Sequence, residues 1–529
     1  MNPASGPPSD HLEGLAPTLI VRGGLCVLPD RVAPADVAVR GDRIIRVQPP
    51  GSPTVDDIRI VDATGCLVTP GFVNTHSHSY GELCRHSGAE LPLEPWMNHA
   101  LAGTLNRATD EIAVSSAVHA IEAVRTGTTT VVDHIGGDIA SLIAVTDAYA
   151  AVGIRSRIAP MIGDLRLPST VGIAEWPTTA GADSSMFDTR TARELIAATL
   201  ALRESVRGGL LTDVLLGPSA PQRVSPEMWQ ALAEQRAGSD LRVHTHLLET
   251  RLQAALPAPG GASWVAYLDS LGLLDEGFSA AHAVWLGPDD IELLAHRGVT
   301  LVHNPQSNLQ LGSGIAELTR WRRTGVRVAL GTDSVNCGGS MDMLNSMRLA
   351  ALLHRPGNAD PDTWETPASV LRMATEAGAR ALGIPAGRIE VSALADLAIF
   401  EMRGSVWATS QDPIAALVLD SYDHRARSVV IGGAVVLEND QVLGVDEPAL
   451  LEAVAPARAA LRTRNASMLD VAERQQALLL AAAQAAPTPR ELLPRDSARP
   501  GSARQAPATG LINDLKVNTV RTEGISQGI

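Results

Sequence analysis

Two histidines two residues apart are the first residues in this chain that could do chemistry. His76 and His78 close the stretch 70–78, which starts with a Pro-Gly turn signal and continues through a short apolar run. On an extended strand alternate side chains point the same way, so both imidazoles face one side. Two imidazoles on one side of a strand end make half of a metal site. The rest of the chain must then supply the other ligands.

Polar side chains also end four later strand-like runs. They are His244, His246, Glu249, His282, His303 and Asp333. His244 and His246 share one face of their run, and Glu249 follows on the outgoing loop. A lone histidine at such a position is more often a hydrogen-bonded core residue than a ligand. Five such strand ends in one chain are much harder to explain in that way.

The elements that must position these residues alternate between strand and helix from about residue 70 to 380. The predicted strands are 128–133, 155–160, 214–217, 242–246, 280–284, 300–303 and 327–331, and the predicted helices are 111–126, 191–207, 225–238, 289–298 and 367–381. Repeated βα units with strands this short and apolar predict an α/β fold, a (β/α)8 TIM barrel over 70–384. Barrel active sites form at the carboxyl ends of the strands, where the polar residues fall.

Both flanks of this region have β texture. Before it come runs at 18–21, 25–28, 36–39, 43–47 and 58–62, with hairpin turns expected at Gly23-Gly24 and Gly41-Asp42. After it come runs at 396–400, 428–431 and 434–437, with a turn at Gly432-Gly433. Since the first piece is too small to stand alone, 17–69 and 385–445 are predicted to form one composite β-sandwich. Residues 446–485 read as one or two helices, and 1–16 and 486–529 as disordered termini.

Composition excludes several classes of function. The 529 residues carry a net charge of −15 without a basic run and only 3% aromatic residues, which argues against nucleic acid as a partner. No signal peptide and no apolar run of about eighteen residues is found, so no membrane partner is expected. The four cysteines are scattered. These features predict a reduced, cytoplasmic protein with a small-molecule substrate.

Lysine chemistry is excluded from the body of the protein. The single lysine is Lys516, close to the last residue. No Schiff base and no carbamylated lysine bridging two metals can therefore be built here.

The ordered set of strand-end motifs resembles the amidohydrolase superfamily. The matching stretches are Pro-Gly-Phe-Val-Asn-Thr-His-x-His, His246-x-x-Glu249, Ala-His282, His303-Asn-Pro-x-Ser-Asn308-x-x-Leu311 and Gly-Thr-Asp333, within about residues 17–445. Within the superfamily the chain is similar to the mononuclear deaminase and chlorohydrolase branch, which includes S-adenosylhomocysteine and guanine deaminases and triazine hydrolases. The missing lysine fits this one-metal branch.

The resemblance implies a role for each matching residue. His76, His78, His246 and Asp333 would hold one divalent metal ion, Zn²⁺ in preference to Fe²⁺, with an open position for water. Glu249 would move a proton from this water to the leaving group. His282 would hold the hydroxide or polarise the substrate, and Asp333 would also accept a proton. The resemblance further implies a homodimer.

Other histidines have plainer readings. His244 is the alternative ligand to His246, but the spacing to Glu249 favours His246 and leaves His244 supporting the site. His303 reads as a scaffold residue, with Asn304 and Asn308 fixing its loop through side-chain-to-backbone bonds. The remaining histidines read as surface or packing residues; they are His86, His99, His119, His134, His296, His354 and His424.

The residues that would contact the substrate are less clearly marked. Trp96 lies in a segment that resembles the family's pocket mouth, and Gln222 and Arg223 follow the fourth barrel strand. Cys337 matches a triazine-hydrolase position near the leaving group, and a loop cysteine without a role is the equal alternative. Nucleoside deaminases of the family carry a glutamate near Leu105 and a histidine after Gly-Pro, and this chain has neither.

These departures weigh against an adenosylhomocysteine-like substrate. The first reading is an aminohydrolase, acting on C–N bonds other than peptide bonds, that deaminates an amino-substituted planar N-heterocycle. The alternative is an amide, urea or carbamate hydrolase, or a dechlorinase, that uses the same site. A non-catalytic binding protein would be expected to have lost some of the ligand set, which is complete here.

Overall fold

A computed structural model describes residues 15–52, 58–165, 170–171, 191–420, 425–488 and 492. The predicted disordered termini, 1–16 and 486–529, fall almost entirely outside these ranges, as does His424. Within them, no helix combines the length and the apolar character needed to cross a bilayer.

Strands from the two flanks of the chain join in one sheet, so both flanks contribute to one β domain as predicted. The strands are β1 (Leu19–Val27), β2 (Val32–Arg40), β3 (Arg43–Gln48), β4 (Arg59–Asp62), β5 (Cys66–Pro70), β15 (Leu397–Glu401), β16 (Ala426–Ile431), β17 (Ala434–Glu438) and β18 (Gln441–Val442). Their order is β18-β17-β16-β15-β5-β1-β2-β3, with β4 paired to β1. The two flanks meet where β15 runs antiparallel to β5, from Leu397 opposite Pro70 to Glu401 opposite Cys66.

One predicted hairpin is wrong. Gly23-Gly24 does not turn the chain: β1 continues through it, and the register against β2 shifts between Val21 and Gly24 as a β-bulge. The turn comes later, where the Leu28 N–H donates to the Arg31 carbonyl. A bulge and a turn both favour paired glycines, so the sequence alone does not separate them. The turns at Gly41-Asp42 and Gly432-Gly433 are confirmed.

The segment between the flanks holds two parallel sheets. One consists of β6 (Phe72–Ser77), β7 (Thr128–Ile135), β8 (Arg155–Ile162), β9 (Thr212–Val214) and β10 (Gly217–Pro218), and the other of β11 (Val243–Leu247), β12 (Phe278–His282), β13 (Thr300–His303) and β14 (Arg327–Leu330). A parallel bridge between Leu216 and Val243 connects them on one side. On the other side the Asp333 N–H donates to the His76 carbonyl at 3.0 Å. The strand predicted at 214–217 is divided between β9 and β10.

Helices follow these strands and account for the rest of the fold. They are α1 (Leu93–Thr104), α2 (Thr109–Arg125), α3 (Ile139–Val152), α4 (Ala192–Ser205), α5 (Pro226–Arg236), α6 (Arg251–Ala255), α7 (Trp264–Ser270), α8 (Pro288–Arg297), α9 (Pro305–Gln310), α10 (Leu318–Thr324), α11 (Val335–Gly338), α12 (Met343–Leu352), α13 (Pro367–Arg372), α14 (Gly378–Ala381), α15 (Ser405–Thr409), α16 (Pro413–Leu419), α17 (Glu447–Arg464) and α18 (Ala466–Ala485). A π-helical turn, Met373–Ala377, joins α13 to α14, so the helix predicted at 367–381 is continuous. The fold is mixed α/β, with its main core between the parallel strands and these helices.

The C-terminal segment forms two helices, and α18 packs along α1. Asn98 and His99 of α1 hydrogen-bond to Gln475 and Gln476 of α18, each at 3.0 Å. Leu479 is fully buried. The last long helix therefore supports a helix from the start of the α/β region.

A buried ion pair joins the parallel sheet to the composite sheet. The Arg155 guanidinium donates to both carboxylate oxygens of Asp396 at 2.9 and 3.0 Å, and both side chains are almost completely buried. Asp396 also accepts the Gly432 N–H at 2.7 Å. Such a pair specifies a docking geometry, and removing one partner leaves an uncompensated buried charge.

We expect Arg155→Met to lower the free energy of unfolding by about 3–5 kcal/mol, because the Asp396 carboxylate loses its cation. Urea denaturation measures this loss. The double variant R155M/D396N should recover much of it, since the amide oxygen still accepts the Gly432 N–H. Arg320→Met, at an exposed pair, is the control and should change stability by less than about 0.5 kcal/mol. A double variant as unstable as R155M would contradict the charge argument.

Candidate active site

The polar strand ends converge on one point, beginning with His76 and His78. Both lie at the carboxyl end of β6, fully or almost fully buried. Gly331 allows the end of β14 to approach them, because a Cβ there would lie 2.9 Å from the His76 carbonyl oxygen. The glycine of Gly-Thr-Asp333 is therefore explained by close packing of backbone rather than by a turn.

Three imidazoles and one carboxylate form the centre of the site. Asp333 Oδ1 lies 3.2 Å from His78 Nε2 and 3.6 Å from His76 Nε2. His246 Nε2 lies 3.2 Å from His78 Nε2. Atoms held by one tetrahedral ion at 2.0–2.1 Å are about 3.3 Å apart. The described residues therefore include a group of the chemistry and size that holds a divalent cation.

Hydrogen bonds set the tautomer of His78 and His246. His78 Nδ1 lies within hydrogen-bond distance of the His134 carbonyl, and His246 Nδ1 lies 2.5 Å from the Ser219 carbonyl. A carbonyl can only accept, so each Nδ1 carries the proton. Each Nε2 therefore presents a lone pair to the centre.

A short chain of hydrogen bonds sets the same tautomer in His76. The Ser279 hydroxyl donates to the Val243 carbonyl at 3.2 Å, so its oxygen accepts from His244 Nδ1 at 2.8 Å. His244 Nε2 then accepts from His76 Nδ1 at 2.8 Å. His76 Nε2 has no hydrogen-bond partner among the described residues. In its neutral form each of the three imidazoles therefore has an unprotonated Nε2, and His244 lies behind His76.

Glu249 and His282 lie beside this centre. Glu249 Oε1 accepts from the Ser313 hydroxyl at 3.1 Å and lies 3.7 Å from His282 Nδ1. His282 Nδ1 donates to Asn308 Oδ1 at 2.9 Å, which leaves His282 Nε2 as a lone pair 3.7 Å from Asp333 Oδ2. Asn308 was expected to bond to backbone; it sets the His282 tautomer instead.

Burial and neighbouring charge shift the pKa values in the directions that this arrangement requires. Burial raises the pKa of Glu249 to about 7, and burial lowers the pKa of His76 and His246. Burial opposes the charged form of His78, but the hydrogen bond with Asp333 and the charge of that carboxylate raise the pKa of His78. Burial opposes ionisation of Asp333, but the hydrogen bond with His78 and the other imidazoles hold its pKa well below the usual range. Two neutral imidazoles, an imidazole paired with an ionised aspartate and a glutamate near neutrality suit proton transfer.

Two site residues have a left-handed backbone. His282 has φ 69° and Asp333 has φ 63°, and neither is glycine. Such conformations cost roughly 1–3 kcal/mol each and persist only where the surrounding structure enforces them. Strain of this kind concentrates at functional sites.

A cavity leads to this group. Besides the site residues, its lining includes Tyr80, Trp96, Met97, Ser219, Gln222 and Arg223. Trp96 and Gln222 line this cavity, and their contact with substrate stays a prediction. Cys337 is buried in an apolar cluster with Trp96 and Leu311, and its Sγ donates to the Ser334 carbonyl at 3.4 Å. Its contact with substrate stays a prediction.

Sequence reasoning missed the position of His134. It was grouped with surface or packing residues, but its ring stacks on His246 at 4.8 Å and its carbonyl accepts from His78. Its Nε2 donates to the Gly217 carbonyl at 3.1 Å. The available signal was its place at the end of β7, the same rule that identified the other residues.

Known proteins with this arrangement place the chain in a family. The Amidohydrolase family profile matches residues 67–436. The 5-methylthioadenosine/S-adenosylhomocysteine deaminase of Desulforudis audaxviator (strain MP104C) is 32% identical over 423 residues, 79% of this chain and 92% of that protein. The chain therefore belongs to the amidohydrolase family, as its motifs predicted.

Solved structures show the same fold. A zinc-bound adenosine deaminase from Xanthomonas campestris superposes with a TM-score of 0.75 at 26% identity, covering 85% of this chain and 99% of that one. The zinc complex of atrazine chlorohydrolase from Arthrobacter aurescens TC1 gives a TM-score of 0.73 at 24% identity, covering 83% and 100%. The predicted likeness to both deaminases and triazine hydrolases is confirmed.

The buried Glu249 makes stability depend on pH. Its pKa is raised from 4.5 to about 7, so the stability that its protonated form contributes is complete below pH about 4.5 and is lost as the pH rises through about 7. In chelator-treated protein we expect Glu249→Gln to gain about 2–3 kcal/mol over the parent between pH 5 and pH 8. Urea denaturation at both pH values measures it. Glu234→Gln, on the exposed face of α5, is the control; equal pH dependence in both variants would refute the assignment.

Proposed function

We propose that the chain is a metal-dependent hydrolase of C–N bonds that deaminates an amino-substituted N-heterocycle. The observation that carries this proposal is the convergence of three imidazole Nε2 atoms, the Asp333 carboxylate and Glu249 on one cavity. The similar proteins support the ring chemistry, because their names describe deaminases of adenine-type compounds. In reaction class this is an aminohydrolase acting on C–N bonds other than peptide bonds.

A divalent cation is the group that fits the centre. In their neutral tautomers His78 and His246 direct two Nε2 lone pairs at each other across 3.2 Å, and a cation bound between them would remove this repulsion. We infer one ion per chain, held by His76, His78, His246 and Asp333. Nitrogen and carboxylate ligands suit Zn²⁺, in preference to Fe²⁺. Two zinc-bound structural neighbours support this choice.

Glu249 would carry the proton. A divalent ion bound at the centre would polarise a water molecule and lower its pKa towards neutrality. Glu249, near neutrality itself, can take a proton from this water and deliver it to the departing amino group. The Ser313 hydroxyl fixes one carboxylate oxygen during both steps.

His282 and Asp333 would complete the proton path. The Asn308 hydrogen bond keeps the proton of His282 on Nδ1, so its Nε2 can accept a hydrogen bond from the attacking water or from the protonated ring. Asp333 Oδ2, 3.7 Å from that Nε2, can accept the second proton as the water attacks.

The scaffold that we infer is a (β/α)8 barrel over 70–384. The Leu216–Val243 bridge and the Asp333-to-His76 hydrogen bond support closure, since they join the two parallel sheets at both seams. The boundaries of the composite β domain, 17–69 with 385–445, its sandwich form and the helices 446–485 belong to the same proposal. A homodimer rests on family analogy alone.

Glu249→Gln should lower kcat by about 10²–10⁴-fold while the metal content stays at that of the parent, because the amide cannot accept the proton. Ammonia release under saturating substrate measures this. Glu234→Gln should behave as the parent. If Glu249→Gln turns over substrate as fast as the parent, Glu249 does not transfer the proton. If the enzyme cleaves an open-chain amide or urea and releases no ammonia from any ring, it is an amide or urea hydrolase rather than a deaminase.

His78→Ala should lose most of the bound metal, since one of four ligands and the contact to Asp333 are removed. Elemental analysis of purified protein, with about one ion per chain expected in the parent, checks this. His99→Ala, outside the site, is the matched control. Unchanged metal in His78→Ala would take this residue off the ligand set.

A further inference from the structure

The loop after β10 presents three polar side chains to the cavity, and two of them have unsatisfied atoms. Ser219, Gln222 and Arg223 all line it. The Ser219 hydroxyl and the Gln222 Oε1 are buried and have no hydrogen-bond partner among the described residues. Buried polar atoms without partners are rare, and in a cavity they mark the place of a ligand's polar atoms. Neither group has a part in the proton path described above.

Arg223 is the strongest of the three. The contact given for its guanidinium is Nη1 to the Met97 sulfur at 3.1 Å, and no carboxylate of the described residues forms an ion pair with it. Burial lowers the pKa of Arg223, yet a guanidinium stays charged at neutral pH. The Glu94 carboxylate, which also lines the cavity, accepts from the Thr250 hydroxyl. A partly buried guanidinium whose acceptor is a thioether sulfur lacks a strong acceptor, and an oxygen of the ligand would supply one.

The rest of the cavity limits the shape of the ligand. Trp96, Met97 and Leu93 supply apolar wall, which suits a flat ring. The loop after β10 begins next to the candidate metal ligands, because the Ser219 carbonyl accepts a hydrogen bond from His246 Nδ1. If the carbon that bears the amino group lies beside Glu249, a different edge of the ring faces Gln222 and Arg223.

We propose that Gln222 and Arg223, with the Ser219 hydroxyl, bind a ring oxygen and its neighbouring N–H, so that the substrate is an amino-oxo heterocycle. The guanidinium and the hydroxyl donate to the oxo group, and the Gln222 amide oxygen accepts the ring N–H. Rings of this class include guanine, isoguanine and isocytosine. The inference rests on the proposed deamination, of which it names the substrate class.

Matched pairs of rings test this assignment in the metal-loaded enzyme. Each pair keeps the amino group and differs in the oxo group: guanine with 2-aminopurine, isoguanine with adenine, and isocytosine with 2-aminopyrimidine. We expect kcat/KM for ammonia release to favour the oxo member of at least one pair by about 100-fold or more, because a site built to hydrogen-bond a substrate group rejects an analogue without it. 5-Methylthioadenosine and S-adenosylhomocysteine are assayed beside them.

Arg223→Met removes the cation and keeps the length of the side chain. The oxo preference should fall towards about 1 in this variant and should fall in part in Gln222→Leu. Arg207→Met, at an exposed position on the surface, should keep it. Circular dichroism and metal content show whether each variant is folded.

Binding gives a readout that does not need turnover. Quenching of Trp96 fluorescence, or calorimetry, measures the affinity of the same ring pairs. One outcome would separate the two proposals. If no ring releases ammonia, but the oxo member of a pair binds more tightly than its partner and this preference requires Arg223, the deaminase proposal fails and the subsite stands. Equal affinity within every pair, an oxo preference that survives R223M, or exclusive use of S-adenosylhomocysteine through its carboxylate would overturn the subsite.

Discussion

The protonation of three imidazoles is set by the scaffold, and the remainder of the site depends on it. His78 and His246 donate to carbonyls at the ends of neighbouring strands, and His76 donates to His244, whose own proton goes to Ser279. Each bond removes the choice between two tautomers. Three lone pairs and a carboxylate are thereby made to face one point before any cation arrives. That electrostatic arrangement is unfavourable by itself, and the large α/β core provides the free energy that maintains it.

Much of the fold and of the site could be predicted from the sequence, because each strand end combines an apolar run with a polar residue. Short apolar runs marked the parallel strands, and the polar residue just after each run marked the site. His76, His78, His246, Glu249, His282 and Asp333 were found in this way and meet in the structure. The composite sheet was also accessible, since the N-terminal β segment is too small to stand alone and β-like runs return after the α/β region.

What the sequence did not reveal are contacts that no local pattern encodes. The bulge at Gly23-Gly24 has the composition of a turn, and only the pairing of β1 with β2 distinguishes them. His134 contacts the site through its backbone carbonyl and through its ring, which stacks on His246, and both contacts depend on how β7 packs beside its neighbours. The hydrogen bond from His282 to Asn308 joins the end of β12 to α9, 26 residues apart, and depends on the finished fold.

The packing of α18 on α1 links the shape of the ligand cavity to a part of the chain that carries none of the catalytic strands. The family profile ends at residue 436, yet Leu479 packs in a cluster with Val171 and Met97, which line the cavity. The strands that hold the reacting groups lie within the matched profile, whereas part of the cavity wall is braced by a helix that follows the end of that profile. Replacement of that helix can reshape the ligand space and leave the catalytic strands untouched. The substrate range of such chains can therefore change while the residues that carry out the reaction stay the same.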